Sequence, residues 1–195
     1  VARWTEGELL MDRLRSAPDT DLLTHYYQQL GGIMAAMHTQ ACAWPLPASF
    51  ARHRLNADGL MGPAPFWGPF WSHPALSAGE RQLLIGTRDQ MHGILTRYGE
   101  QSDTWSLIHA DLHPGNLLLR DDELTVIDFD DAGFGWHQYD IAVALVHYET
   151  HPHYAAIEQA LLQGYRRQRP LSPAAEAMIP VFRLIRHMVS IGWLY

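Results

Sequence analysis

Lysine is missing altogether: all 14 of the basic residues are arginines, set against 21 acids for a net charge of −7. Proteins that grip nucleic acid do so through clustered Lys and Arg, so a chain with this balance and no basic run is not expected to have nucleic acid as its main partner. Cysteine is nearly absent too. Cys42 stands alone, which rules out a disulfide within the chain and suits a reducing compartment; it reads as a small, buried apolar residue rather than a catalytic thiol. No stretch reaches 18 consecutive apolar residues, so no membrane span is expected, and the opening "VARWTEGELL" has no signal-peptide pattern. These absences together suggest a cytoplasmic protein. The chain opens without Met and closes on "MVSIGWLY", which reads as the inside of an apolar helix. Both ends read as cut, and a longer parent polypeptide is expected.

The composition, 47% hydrophobic and 18% charged over 195 residues, can fill a core. "TEGE" at 5–8 has the form of a capping box that opens a helix reaching about Ser16. Asp19 to about Thr39 reads as a second helix, on the spacing of Leu22, Leu23, Tyr26, Leu30, Ile33, Met34 and Met37, with Gly31 and Gly32 marking close packing. Residues 43–76 are rich in Pro, Gly and Trp, and are expected to be irregular. Phe66, Trp67, Phe70 and Trp71 either anchor that segment or line a substrate mouth. "SAGE" at 77–80 is a second capping box, opening a helix to about Tyr98 with Leu83, Leu84, Met91, Ile94 and Leu95 inward. "WSLIH", "NLLL" and "LTVID" then read as short strands, the last two joined by the tight turn "RDDE". Helices resume over 137–149, 152–168 and from 172 onward. Ser172-Pro173 forms a cap, and Pro180 kinks or restarts the last helix. The fold class expected is α+β, mostly helical.

The stretch "HADLHPGNLLL", residues 109–119, lies between two of those strands and carries the chemistry. Asp111 precedes Asn116 by five positions; Asn116 precedes Asp128 by twelve, and Asp128 ends a strand in "VIDFDD". Phosphoryl transfer from ATP needs a carboxylate that orients the attacking hydroxyl and accepts its proton. It also needs oxygen ligands that hold Mg²⁺ against the phosphates. An Asp and an Asn on one loop, with a second Asp brought alongside by a hairpin, meet that need. A His-Asp-His zinc site of a metallohydrolase would use "HADLH", but leaves Asn116 and the acidic strand end unused. Plain turn polarity would bring several carboxylates together with no cation to relieve their repulsion.

The run "IHADLHPGNLLL…VIDFDDAGFGWHQYDIA" resembles the catalytic loop and metal-binding triplet of protein kinases. It is more similar still to the aminoglycoside phosphotransferase-like kinases, especially the bacterial group with the stress-response Ser/Thr kinase and homoserine-kinase-like enzymes. The strong resemblance spans residues 105–145; "LGGIMAAMH" and the helix order extend a weaker one over most of the chain. It implies the large C-terminal lobe of a protein-kinase-like fold over 1–195, with a small β-hairpin region carrying the catalytic loop. It also implies an ATP-dependent phosphotransferase acting on a hydroxyl of a small molecule or of a protein Ser/Thr. Asp111 is then the catalytic base, Asn116 and Asp128 the Mg²⁺ ligands, His109 a ring packed under the loop, and Asp140 a brace accepting backbone hydrogen bonds. His113 either touches the transferred phosphate of ATP or shapes the pocket. Asp130 assists a second metal or fixes its loop. Gly115 and Gly133 read as turn positions that need backbone freedom. A non-catalytic kinase-like binding module is the alternative, although a scaffold has no need of the full Asp-Asn-Asp set.

In such folds a β-rich lobe supplies a Gly-rich phosphate loop and a strand lysine. Neither is present here, so an upstream ATP-covering lobe is expected as a partner, and the chain alone is expected to be inactive. The acceptor is not legible. The aromatic segment 63–76 and Tyr148, Glu149, Tyr165, Arg183 and Arg186 are candidates to meet it, each with packing or solvation as the plainer role.

Overall fold

The structure, a computed structural model, describes residues 5–16 and 19–193. Its first element corrects the reading of "TEGE". Glu8 is not a helix-capping residue but half of a two-residue strand, β1 (Glu8–Leu9), paired antiparallel with Leu118 and Leu119; helix α1 (Leu10–Ser16) begins only after it. Pairing with a distant strand overrides the local cap. It is made possible by Gly7, whose missing Cβ would lie 3.0 Å from the Leu119 carbonyl oxygen.

Helix α2 (Thr20–Ala43) starts where expected, with the Asp19 carboxylate accepting from the Asp21 N–H, and runs on to Ala43. Its glycines do mark close packing. A Cβ on Gly31 would sit 2.0 Å from the Leu161 carbonyl oxygen, and one on Gly164 1.9 Å from that of Gln28, so α2 and α6 (Tyr154–Arg166) meet backbone to backbone. Gly31→Ala is therefore expected to cost about 1–3 kcal/mol through overpacking. Gly86→Ala should gain about 0.5–1 kcal/mol, because that exposed helical position has no atom near its Cβ. Urea midpoints of the two variants, moving in opposite directions, check the pair.

The segment before α4 (Ala78–Tyr98) is largely irregular, with only a short helix α3 (Ala57–Met61) and a single turn at Phe70–Ser72. Phe70 is fully buried, Trp67 stacks on Tyr139 at 6.0 Å, and the Arg88 guanidinium lies over Trp71 at 4.5 Å. These three aromatics anchor the segment. Phe66 stays exposed, stacked on His53 at 3.7 Å. The Ser77–Glu80 capping box forms in full. Leu83, expected inward, is instead 70% exposed, while Met91 and Leu95 are buried.

Strands β2 (Trp105–Ile108), β3 (Leu117–Arg120) and β4 (Glu123–Val126) match the reading. The β3–β4 turn places Asp121 and Asp122 at φ 50° and 66°, the mirror-image turn that suits a hairpin's twist. A further strand, β5 (Gly133–Trp136), was not expected either. It pairs antiparallel with β2, from Trp105 opposite Trp136 to Ile108 opposite Gly133. Gly133 is thus no turn residue: it is needed for room, since a Cβ there would lie 2.4 Å from His53 Nε2.

Helix α5 (His137–Val146) follows at once, with every residue from His137 to Leu145 buried. Ile141, Ala144 and Leu145 face a core shared with α2 and α6. Tyr139, Ala142 and Val143 face a second core, shared with α4 and α8 (Ile179–Ile191). Its polar residues His137, Gln138 and Asp140 are buried along with the apolar ones, and the helix is a wedge between two cores. Ser172 caps the short α7 (Pro173–Glu176), and Pro180 sits in the first turn of α8, where it restarts the helix. Among the described residues no helix is long and apolar enough to cross a membrane.

Candidate active site

The loop from His109 to Asn116 connects β2 to β3, and its shape is set from below. Asp140, fully buried in the first turn of α5, accepts from the Ala110 N–H through Oδ1 (2.7 Å) and from the His109 N–H through Oδ2 (3.1 Å). Those bonds hold Ala110 in the left-handed region, φ 69°, a conformation a non-glycine residue keeps only when its surroundings impose it. The Nε2–H of buried His38 donates to Asp140 Oδ2 at 3.0 Å, which leaves its Nδ1 to accept from the Tyr165 hydroxyl at 3.0 Å. Beneath, His137 stacks flat on His38 at 4.2 Å; burial drives the His137 ring far below the usual histidine range, so it is neutral. His109 sits under the loop as expected. Its Nε2–H donates to the Ile127 carbonyl (3.0 Å) and its Nδ1 accepts from the Asp111 N–H (3.3 Å).

Asp111 therefore emerges from a rigid base. Its Oδ2 accepts from Asn116 Nδ2 at 3.0 Å and lies 3.3 Å from His113 Nε2. Its Oδ1 accepts from Arg186 Nη2 at 2.6 Å. Burial works against a charge on this carboxyl, but the His113 hydrogen bond and the Arg186 guanidinium outweigh it and hold the group ionised well below the usual carboxylate range. The Asn116 amide nitrogen also donates to the Asp111 carbonyl oxygen (2.9 Å), so the amide oxygen is what this side chain has left to offer. His113 Nδ1 accepts from the Gly115 N–H at 3.0 Å, so both nitrogens of the ring are engaged within the loop.

Asp128 is brought to the same place by the hairpin. The Ile127 N–H donates to the Asn116 carbonyl at 3.0 Å, which sets the residue after it beside the loop. Asp128 is exposed at φ 63°, its Oδ1 facing the Asp130 N–H at 3.4 Å. The Phe129 and Asp130 carbonyls accept from Arg52 Nη2 (2.7 and 3.3 Å), and Phe129 packs on the His109 ring at 4.7 Å. Among the described residues no three His, Cys, Asp or Glu side chains gather to hold a metal. The hard oxygen donors in this region are the Asn116 amide oxygen on the loop and the exposed Asp128 carboxylate after β4. That donor set fits Mg²⁺, which keeps several waters and takes its other ligands from phosphates.

Of the acceptor candidates, Arg186 reaches the Asp111 carboxylate directly. Arg183 turns aside, with Nε 3.0 Å from Glu149 Oε1, and Tyr165 is spent on His38. The participation of Arg186 and of His38 rests on contacts between residues far apart in the chain, and spacing along the sequence carries no signal of it.

The model of the phosphotransferase enzyme family known as APH matches residues 1–174. The chain belongs to this family. Among its APH relatives are a homoserine kinase of Rhodopseudomonas palustris, 32% identical over 78% of this chain and 45% of its own, and the amicoumacin kinase of Bacillus subtilis, 32% identical over 55% and 34%. A solved microcompartment-associated aminopropanol kinase superposes with a TM-score of 0.77 at 37% identity, covering 86% of this chain and 53% of that one. The chain thus spans about half the length of these relatives or less.

Proposed function

We propose that this chain is the catalytic-loop lobe of a kinase that transfers the γ-phosphate of Mg·ATP to a hydroxyl of a small molecule. The observation that carries the reading is the hydrogen bond between Asn116 and Asp111 on one braced loop, with Asp128 following the strand end whose Ile127 N–H is bonded to the Asn116 carbonyl. Asp111 orients the acceptor hydroxyl and takes its proton, while Asn116 and Asp128 offer the oxygens that hold the metal. Mg²⁺, when bound with the nucleotide, supplies the positive charge that offsets the phosphates. His113, hydrogen-bonded to Asp111, shapes the pocket at the base. Two of the relatives' names, homoserine kinase and aminopropanol kinase, point to acceptors that carry a hydroxyl and an amine.

The ATP-covering lobe is proposed to lie in the remaining part of a longer protein, because this chain has neither a lysine nor a Gly-rich phosphate loop. The 195-residue chain by itself is expected to bind Mg·ATP weakly and to show no turnover. The test is a screen of the full-length protein with labelled ATP against amino alcohols, an aminoglycoside and a protein Ser/Thr substrate. Transfer to an amino alcohol supports the reading. Transfer to the protein alone reassigns the acceptor, and binding of ATP without any turnover favours the non-catalytic module. Selective removal of zinc in excess Mg²⁺ should leave activity unchanged; loss of activity would revive the metallohydrolase.

A further inference from the structure

We propose that Arg186 is the positioning residue of Asp111, holding its carboxylate in the one orientation that meets the acceptor hydroxyl; this rests on the kinase reading above. The other donors to the Asp111 side chain, His113 and Asn116, belong to the same short loop and touch only Oδ2. Arg186 comes from α8, 75 residues away, and takes Oδ1 at 2.6 Å. Gripped on both oxygens from two elements, the carboxylate cannot rotate about its χ2.

The environment of Arg186 argues for this role over ordinary packing. Its side chain is only 4% exposed, and a guanidinium so placed costs several kcal/mol to desolvate. The offsets are the Asp111 charge and the face of Trp193, 4.2 Å below the guanidinium carbon. Beside it lies the buried Tyr139 hydroxyl, whose pKa burial pushes up to about 12 against the opposing charge and hydrogen bond of Arg186. Arg183, one turn earlier on the same helix, shows the ordinary alternative: it pairs with Glu149 and Glu158, at 3.0 and 3.7 Å, away from the loop. A planar fork of donors also fixes the plane of a carboxylate in a way that the point charge of an ammonium does not.

The experiment is a double-mutant cycle in the full-length protein, comparing the wild type, Arg186→Gln, Arg186→Lys, Asp111→Asn and the Asp111→Asn/Arg186→Gln pair. Acceptor phosphorylation, slow ATP hydrolysis, Mg·AMP-PNP affinity and urea midpoint are measured for each. Arg186→Gln is expected to lower kcat by about 10- to 100-fold, the scale of a misplaced catalytic group, with KM for the acceptor and nucleotide affinity within about twofold. Arg186→Lys should recover part of the loss. In the Asp111→Asn background Arg186→Gln should cost less than about twofold, because residues acting as one unit are not additive. An equal loss in both backgrounds, or a rise in acceptor KM at unchanged kcat, overturns the proposal. If Arg186→Gln does not fold, the same cycle is run with Arg186→Lys. A wild type that neither transfers nor hydrolyses phosphate defeats the kinase reading itself, and this is seen before any variant is compared.

Discussion

Asp111→Asn is expected to lower the turnover of the full-length protein by about 10²–10⁴-fold, the usual worth of general-base assistance, while Mg·ATP affinity stays close to that of the wild type. The amide keeps the shape of the carboxylate but cannot accept the hydroxyl proton. It also presents an NH₂ where the structure needs acceptors, since Asp111 takes bonds from Arg186 on one oxygen and from Asn116 on the other. Asp128→Ala should fail differently. It removes a metal ligand from a site with few protein oxygens to spare, so nucleotide affinity falls along with rate, and raising Mg²⁺ restores part of both. Asp128 is exposed and holds little of the fold, so that variant should keep its urea midpoint. Titrating Mg²⁺ against ATP binding and turnover distinguishes the two. If the binding defect relieved by Mg²⁺ appeared in Asp111→Asn and not in Asp128→Ala, the two roles would be exchanged.

The second large effect is on stability. Asp140→Ala is expected to destabilise the protein by about 3 kcal/mol or more, since each of three buried donors left without an acceptor costs about 1–3 kcal/mol, out of a total that for most domains is only about 5–15 kcal/mol. The carboxylate serves the His109 and Ala110 amides and the His38 ring at once, and all three would be left buried without an acceptor. Asp140→Asn should be nearly as damaging. Both oxygens of Asp140 accept, so whichever way the amide is turned, its NH₂ faces another donor. Chemical denaturation measures the loss. Because Ala110 has no other reason to stay at positive φ, turnover per folded molecule should also fall. An Asp140→Asn variant with wild-type midpoint and rate would show that the loop holds its shape without the brace.

The sequence by itself determined the motif and most of the helices. Asp111, Asn116 and Asp128 could be picked out because the chemistry of one loop and one hairpin is local, and a spacing of five and then twelve residues survives in one dimension. The helices of 20–43 and 78–98 were legible for the same reason: a cap and a 3.6-residue period are properties of neighbouring residues. Only the tertiary structure decided the rest. Glu8–Leu9 became a strand because the edge of β3 was free to pair with it, against a good local cap. Gly133–Trp136 became a strand, although Gly133 read as a turn position, because it pairs with β2 where His53 and Ile108 leave room for glycine alone at 133 and 135. Leu83 lies outward since α4 is covered on one side only. The groups that hold Asp111 ready, His38 below the loop and Arg186 beside it, arrive from α2 and α8. Their contacts with the loop and its brace form only when two cores close around α5, and no period or spacing along the chain records a meeting between such distant residues.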